Sequence, residues 1–398
     1  MMSASPGGTL VIAEAVILRD IAYRERVKRQ IAALQRLGPV ALLVFGFGRS
    51  EEAKLFRARY KPAGLESMEI YLAPAVPFIG PFAFFFVTFR AWRRVRKAVR
   101  RVPRIHVENL LAFLPLLGTG ARARVTLVLD YHGVVPEEVR ERREGLFGRV
   151  LYFLLKHLEK RALAECSGVV CVSHPFRNYL TGQLGIPADR ILVAGNMIEP
   201  SFAPRPESRS YYRRLYKLEE RFVIVYSGSL MRHQCPAVMA RLFVAIRTRV
   251  PEAYFVIFTH DQHGLRRFML RHGPFHGDVT HMRLEHEDLP HYLALGDLAF
   301  LVREENLVNS VSSPTKFPEY LACGLPVVIS PGVGDCTEIV ERMGLGVVVS
   351  TADIEAGAEK VASFIESSRA AREELRQKCR KAAFDLFTER DHDVLSGF

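Results

Sequence analysis

Ser312-Ser-Pro-Thr-Lys-Phe-Pro-Glu-Tyr-Leu-Ala-Cys-Gly-Leu-Pro-Val-Val-Ile-Ser330 reads as a short helix that ends at a glycine and runs straight into a strand. Ser313 can cap the helix start, and Pro314 suits the first helical position. Gly324 can close the helix, after which PVVIS has the apolar, β-branched character of a buried strand. Lys316, Glu319, Tyr320 and Cys323 fall at i, i+3, i+4 and i+7 and share one helix face, while Phe317 and Leu321 turn toward a core. A cation and a carboxylate one turn apart near a helix start can hold a nucleotide sugar. The carboxylate accepts ribose hydroxyl protons, and the ammonium and helix N-terminus face the diphosphate. The same spacing also fits an ordinary surface ion pair.

Outward from this segment, the strand–helix rhythm continues in both directions. TLVIAEAV, PVALLVFGF, RIHVEN, RVTLVLDYHG, SGVVCVS and RILVAG read as strands in the first half, separated by helix-length segments such as Ile21–Leu37, Phe82–Val102 and Leu146–Ala164. RFVIVYSGS, AYFVIFTH, DLAFLV, PVVIS and GVVVS repeat the pattern in the second half. Such alternation predicts parallel sheets covered by helices on both faces, with ligands at the carboxyl ends of the strands. GNMIEPSFAPRPES (195–208), with three prolines and no periodicity, reads as a linker. The expected organisation is an α/β chain of two Rossmann-like, doubly wound domains facing a central cleft. Residues 1–198 would form the first domain, 199–210 the linker and 211–380 the second, with 381–398 available to cross back to the first.

The 398 residues suffice for two such domains, and half of them are hydrophobic, as a packed protein requires. The six cysteines are scattered without a CxxC pair, which fits reduced thiols better than disulfides or a zinc site. The net charge of +12 is uneven: residues 1–200 hold 30 Lys+Arg against 17 Asp+Glu, whereas the remainder hold 25 against 26. The basic excess of the first half points to a phosphate-bearing partner. The opening MMSASPGGTLVIAEAVILRD has no basic region ahead of its apolar run and reads as a first strand, not a signal peptide.

EYLACGLPVVIS and the following GVGDCTEIVERMGLGVVV resemble the donor-binding region of the retaining family 4 glycosyltransferases of the GT-B fold. The likeness extends to DYHG (130–133), LEKRALAECSGVVCVS (158–173), VYSGSL (225–230) and LPHYLALGDLAFLV (289–302), nearly the length of the chain. It implies ribose binding by Glu319, which matches the second glutamate of the family's E-x7-E element. The first glutamate is replaced by Val311, so Ser312 and Ser313 become the candidates for the donor sugar. Gly228, Arg232 and Lys316 are implied as diphosphate ligands, Gly228 by letting the backbone approach closely. His132 matches the histidine beside the reacting centre and would hydrogen-bond the donor sugar or acceptor, not act as nucleophile. Glu137 and Glu138 would line the acceptor side, or simply begin a solvated helix.

The resemblance further implies retaining transfer by front-side attack, the leaving diphosphate helping to deprotonate the acceptor hydroxyl. No metal or other cofactor is expected, because cationic side chains and helix N-termini can neutralise the diphosphate. Seven of the 13 histidines lie in 260–291, but without HExxH-type spacing. The expected partners are a nucleotide-sugar donor, a lipid-linked or glycan acceptor of cell-envelope synthesis and an anionic membrane surface, at a cytoplasmic or inner-membrane-face location. The membrane expectation rests on residues 78–101, an apolar run too short to span a bilayer followed by a basic one. A stripe through Phe82, Phe85, Phe89, Trp92, Val95, Val99 and Val102 would pack on the sheet, leaving Phe84, Phe86, Arg93, Arg94 and Lys97 to meet lipid. The competing functions are a nucleotide-sugar epimerase on the same fold and a non-catalytic basic scaffold or nucleic-acid binder. No recognisable nucleic-acid module accompanies the charge, so no nucleic-acid partner is expected.

Overall fold

The computed structural model describes residues 7–18, 21–74, 79–143, 145–198, 202–273, 275 and 277–388. These fall into two compact units, one running to Gly195 and the other from Asn196 to Glu389. Each is a parallel sheet covered by helices, as the strand–helix alternation requires.

In the first unit the strands are β1 (Thr9–Glu14), β2 (Val40–Phe47), β3 (Ser67–Ala73), β4 (Arg104–Glu108), β5 (Thr126–Tyr131), β6 (Gly168–Cys171) and β7 (Ile191–Val193), in the order β3-β2-β1-β4-β5-β6-β7. The chain starts in the middle, moves outward to β3 and returns to β4, so the winding reverses between β1 and β4. At such a switch point the helices diverge and leave a crevice at the carboxyl ends of the strands. Registers of Ala13 with Glu108 and of Glu108 with Asp130 bring the ends of β1, β4 and β5 side by side.

The second unit contains β8 (Phe222–Ser227), β9 (Ala253–Phe258), β10 (Val279–Met282), β11 (Leu298–Leu301), β12 (Val327–Ile329) and β13 (Gly346–Val348), in the order β10-β9-β8-β11-β12-β13. Its winding reverses between β8 and β11. Asp297, just before β11, is buried beneath Arg209 (2.6 Å) and Arg213 (3.1 Å), and Arg372 lies 3.5 Å away. The buried Arg376 donates to the carbonyls of Gly296 and Cys323, which fastens the Arg372–Phe387 helix over the Lys316–Ala322 helix. Phe387 meets Phe317 edge-on at 5.8 Å between ring centroids.

Two strands lie outside the sequence expectation, β3 and β10, and both are sheet edges. β3 is half-buried over most of its length and β10 throughout is only half-buried or exposed. Neither carries the continuous apolar run of a strand covered on both faces.

The oily-basic segment forms the helix Ile79–Ala98, with a seam different from the expected stripe. Val87, Ala91, Val95 and Ala98 are buried, and Phe84 stacks on Phe47 with centroids 4.7 Å apart. Phe85 and Phe89, expected in the core, are exposed with Phe86, while the side chain of Phe82 lies outside the described residues. The difference arises because the FAFFFV run is apolar on every side, while Ala91 and Ala98 let the helix sit close on the sheet. Phe84 is thus a packing residue and not a lipid contact. Arg94 also turns inward, pairing with Glu69 at 3.2 Å and donating to the Tyr71 hydroxyl at 3.1 Å. Phe86, Arg93 and Lys97 remain exposed. No helix among the described residues is long and apolar enough to cross a membrane.

Candidate functional site

In the second unit, polar groups gather at the carboxyl end of β8. Gly228 follows the strand with φ +130°, a conformation rarely open to other residues, and a Cβ there would collide with the Lys316 ammonium. Lys316 opens its helix and reaches across to the Tyr226 hydroxyl (3.0 Å) and Gln234 Oε1 (2.8 Å), lying 4.3 Å above the centre of the Tyr226 ring. One turn on, the Tyr320 hydroxyl accepts from the Ser227 amide at 2.8 Å. The shared face read from the sequence is therefore seated over the strand end, with Tyr320 and Cys323 fully buried.

Among the described residues Lys316 forms no ion pair with Glu319, and each is electrostatically strained. Burial, with the nearby Arg303 charge, holds the Lys316 pKa well below the usual lysine range, although Glu319 opposes the shift. Burial also pushes the Glu319 carboxyl up to about 7 against the pull of Lys316. Arg303, one residue beyond the β11 segment singled out in the sequence, was not among the expected ligands. Burial lowers its pKa, and its guanidinium is 3.4 Å from Asn309 Oδ1. Lys316 and Arg303 thus place two poorly compensated cations beside the switch point of this sheet, with a carboxylate next to them. The arrangement is suited to an anion carrying hydroxyl groups.

The other expected donor ligands are placed differently. Arg232 lies in a short turn, 88% exposed and 3.7 Å from Glu304. Ser312 donates to the Asn309 carbonyl at 2.7 Å, closing a local turn. Ser313 does not cap the helix: its hydroxyl accepts from the Asn196 amide at 3.0 Å, and its carbonyl accepts from the Asn196 side chain. The helix begins at Lys316 after Thr315, leaving Pro314 ahead of it. Both serine hydroxyls are engaged by protein, and Val311 is buried. Serine at a helix start signals a cap, but chain neighbours alone could not reveal the competing partner Asn196.

In the first unit His132 follows β5, its Nε2 3.2 Å from Asp130 and 3.3 Å from Glu108. Glu108 also faces His106 at 3.2 Å, and Asp130 receives a two-pronged contact from Arg26 at 2.8 and 2.9 Å together with the Gln30 side-chain amide. Burial opposes a charge on His132, but the Asp130 charge and the hydrogen bonds with Asp130 and Glu108 outweigh it and lift the pKa to about 9. The ring is consequently a held cation near neutral pH, able to donate but not to accept a proton. Glu14, at the end of β1, is pushed up to about 7 by burial, with His132 opposing the shift. Gly133 has no left-handed backbone; a Cβ there would meet the Glu138 carboxylate at 2.8 Å.

Glu137, expected on the acceptor side or in a solvated helix start, is engaged by protein groups and is not solvated. It is buried against the Gly145–Glu165 helix, 2.9 Å from Arg140, 3.4 Å from Lys156 and 3.2 Å from the Tyr152 hydroxyl. Glu138 is more open, 3.6 Å from Arg142. Of the histidines in 260–291, His260 contacts the Leu284 carbonyl and His291 accepts from the Arg205 amide. Among the described residues, the one group of metal-ligand type is His106, Glu108 and Asp130, with atoms within 4.8 Å of one another. Arg26 and His132 already supply cations there.

Two parallel-sheet units, each with polar groups gathered at its switch point, are the frame of the GT-B glycosyltransferases. The profile described as Glycosyltransferase Family 4 matches residues 26–202, and that described as Glycosyl transferases group 1 matches residues 209–385. Between them they span most of the chain, which belongs to the family 4, group 1 glycosyltransferases. No curated protein matches the sequence significantly. Among solved structures the fold is similar to Anabaena Alr3699/HepE in complex with UDP and glucose, at 15% identity and TM-score 0.72, covering 98% of this chain and 100% of that one. It is also similar to WaaG, a glycosyltransferase involved in lipopolysaccharide biosynthesis, at 13% identity and TM-score 0.69, with coverage of 98% and 100%. Sucrose-phosphate synthase from Thermosynechococcus elongatus has 15% identity and TM-score 0.67, with coverage of 98% and 97%.

Proposed function

We propose that the protein transfers a sugar from a nucleoside diphosphate donor, with retention, to a lipid-linked or polysaccharide acceptor in cell-envelope glycan synthesis. The observation that carries the donor half of this reading is the convergence of Arg303 and Glu319 on Lys316, which itself lies beside Gly228. The diphosphate meets Lys316, Arg303 and the Gly228 backbone, and the ribose hydroxyls donate to Glu319. Arg232, free to swing, adds a further contact when the donor is present. A diphosphate arriving beside Lys316 favours its charged form and becomes a better leaving group as its own charge is met. Front-side attack then leaves the departing phosphate to take the acceptor proton, so no protein nucleophile is required. With the cations supplied by the chain, no metal is needed. Held as an imidazolium by Glu108 and Asp130, His132 donates hydrogen bonds to sugar oxygens. The acceptor is carried at the inner face of the plasma membrane, and the basic excess of the first half supports that location.

UDP-sugars are the first donors to try, since the HepE structures contain UDP and UDP-glucose. Titration with a series of nucleoside diphosphates, followed by turnover of matching sugars with and without lipid acceptors, tests the reading. Binding of one nucleotide and acceptor-dependent release of it are expected. Turnover of the donor sugar without acceptor would favour the epimerase, and failure to bind any nucleotide would remove the enzyme.

A further inference from the structure

The Gly145–Glu165 helix buries Gly148, Leu155, Leu158, Glu159, Ala162 and Leu163 along one side. Its first three turns carry an opposite face of Leu146, Phe147, Val150, Phe153 and Leu154, each between 50% and 78% exposed. At about 100° per residue these five occupy an arc of roughly 120°. Isolated exposed leucines are common, but a contiguous cluster of this kind marks a surface that meets another apolar phase. The cluster has a basic collar. Arg143 precedes it, Arg149 flanks it and Lys160 lies beyond it, all exposed; Arg140, Arg142 and Arg161 are exposed as well and pair with Glu137, Glu138 and Glu165. The Arg143 guanidinium sits 5.7 Å from the Phe147 ring centroid, joining collar to apolar face.

We propose that this helix end docks on an anionic lipid bilayer, the five apolar side chains entering the headgroup–acyl boundary and the arginines meeting lipid phosphates. The charge argues for lipid over a second copy of the chain: residues 1–200 hold 30 Lys+Arg against 17 Asp+Glu, an excess that two copies would set against each other. An anionic headgroup layer complements the same collar, and cations beside aromatic and aliphatic residues fit an interface-lying helix. The proposal rests on the membrane-borne acceptor of the reading above but relocates the contact. On the Ile79–Ala98 helix, Phe84 and Arg94 face the protein, whereas all five apolar residues here face outward.

Flotation of the whole protein with acceptor-free vesicles tests it. The wild type should float with vesicles containing phosphatidylglycerol and far less with pure phosphatidylcholine. Phe147→Ser/Phe153→Ser should lower the partition about tenfold or more, as should Arg142→Glu/Arg143→Glu/Arg149→Glu. Phe85→Ser/Phe86→Ser should lower it by no more than about threefold. Melting temperature and nucleotide binding should not change in any of these, because every altered side chain is exposed. Wild-type flotation by the two Gly145–Glu165 variants would overturn the proposal, as would equal flotation on both vesicle types. A dimer in solution abolished by Phe147→Ser/Phe153→Ser would overturn it in favour of a second copy. Anionic flotation by a wild type that binds no nucleotide would still support the docking face, while removing the transferase reading.

Discussion

Lys316 donates to the hydroxyl of Tyr226 at 3.0 Å while its ammonium lies 4.3 Å above the same ring, so both hold it where the diphosphate is proposed to bind. Burial keeps the Tyr226 hydroxyl protonated far above its ordinary range, which makes it a neutral acceptor and leaves the lysine charge uncompensated. Lys316→Met should therefore weaken nucleoside diphosphate binding by roughly 2–3 kcal/mol, about the value of a buried charge-assisted contact. Arg232→Ala, at an exposed position, should change it by about threefold at most. Calorimetric titration of both variants with the same nucleotide checks the order, and a larger loss in Arg232→Ala would reverse the assignment.

Glu319 offers a stability test with a definite sign. Its carboxyl is raised from 4.5 to about 7, so the folded chain holds the proton more tightly than the unfolded chain does. Ionisation consequently costs stability progressively from pH 4.5 upward, and the full penalty is present above pH 7. Glu319→Gln should match the wild type near pH 4.5 and exceed its stability at pH 8 by roughly 1–3 kcal/mol, while binding nucleotide about tenfold more weakly. Melting curves across that range would show the crossover; a variant less stable at pH 8 would mean that the carboxylate is satisfied within the protein.

What was legible beforehand follows from what sequence can encode locally. Strands covered on both faces carry apolar runs, so the centre of each sheet could be read from RVTLVLDYHG or RFVIVYSGS. The half-buried edges SMEIYLA and VTHM have no such signature. Lys316 and Glu319 were visible as a motif, but the competition of Asn196 for Ser313 depends on residues far apart in the chain. The Glu108–His132–Asp130 cluster depends likewise on the β4–β5 register. LFGRVLYFLL was indistinguishable from a core helix until the fold exposed its outer face, because the chain alone does not say which side is covered.

His132 should impose a limb on the alkaline side of the stability profile. Its pKa rises from 6.5 to about 9, through interactions with Asp130 and Glu108 that exceed the cost of burial. The resulting stability is fully present below pH 6.5 and is lost as pH rises through about 9. The charged groups about the ring are Glu14 on β1, Arg26 on the Ile21–Gln35 helix, Glu108 on β4 and Asp130 on β5, with Glu138 on the following helix acting on Glu14. Glu14 titrates lower in the range, so the diagnostic quantity is the wild type minus His132→Gln. That difference should shrink between pH 7 and 9.5. A difference independent of pH would mean that the ring is not the held cation.

Asp130 joins the sheet to the Ile21–Gln35 helix through Arg26, and the two prongs of that contact lie in a largely buried setting. Although burial alone would raise it, the Arg26 and His132 charges hold the Asp130 carboxyl far below 3.8. Its contribution is therefore present above pH 3.8 and disappears only in strong acid. Asp130→Asn should cost roughly 3–5 kcal/mol at neutral pH, because it strands Arg26 and removes one of the two carboxylates beside His132. Adding Arg26→Met removes the stranded charge and should restore at least about half of the loss. The pair of denaturant titrations separates an ion pair from simple packing: if the second substitution lowers stability further by its own full amount, the two residues are not coupled and the anchoring role assigned to Asp130 fails.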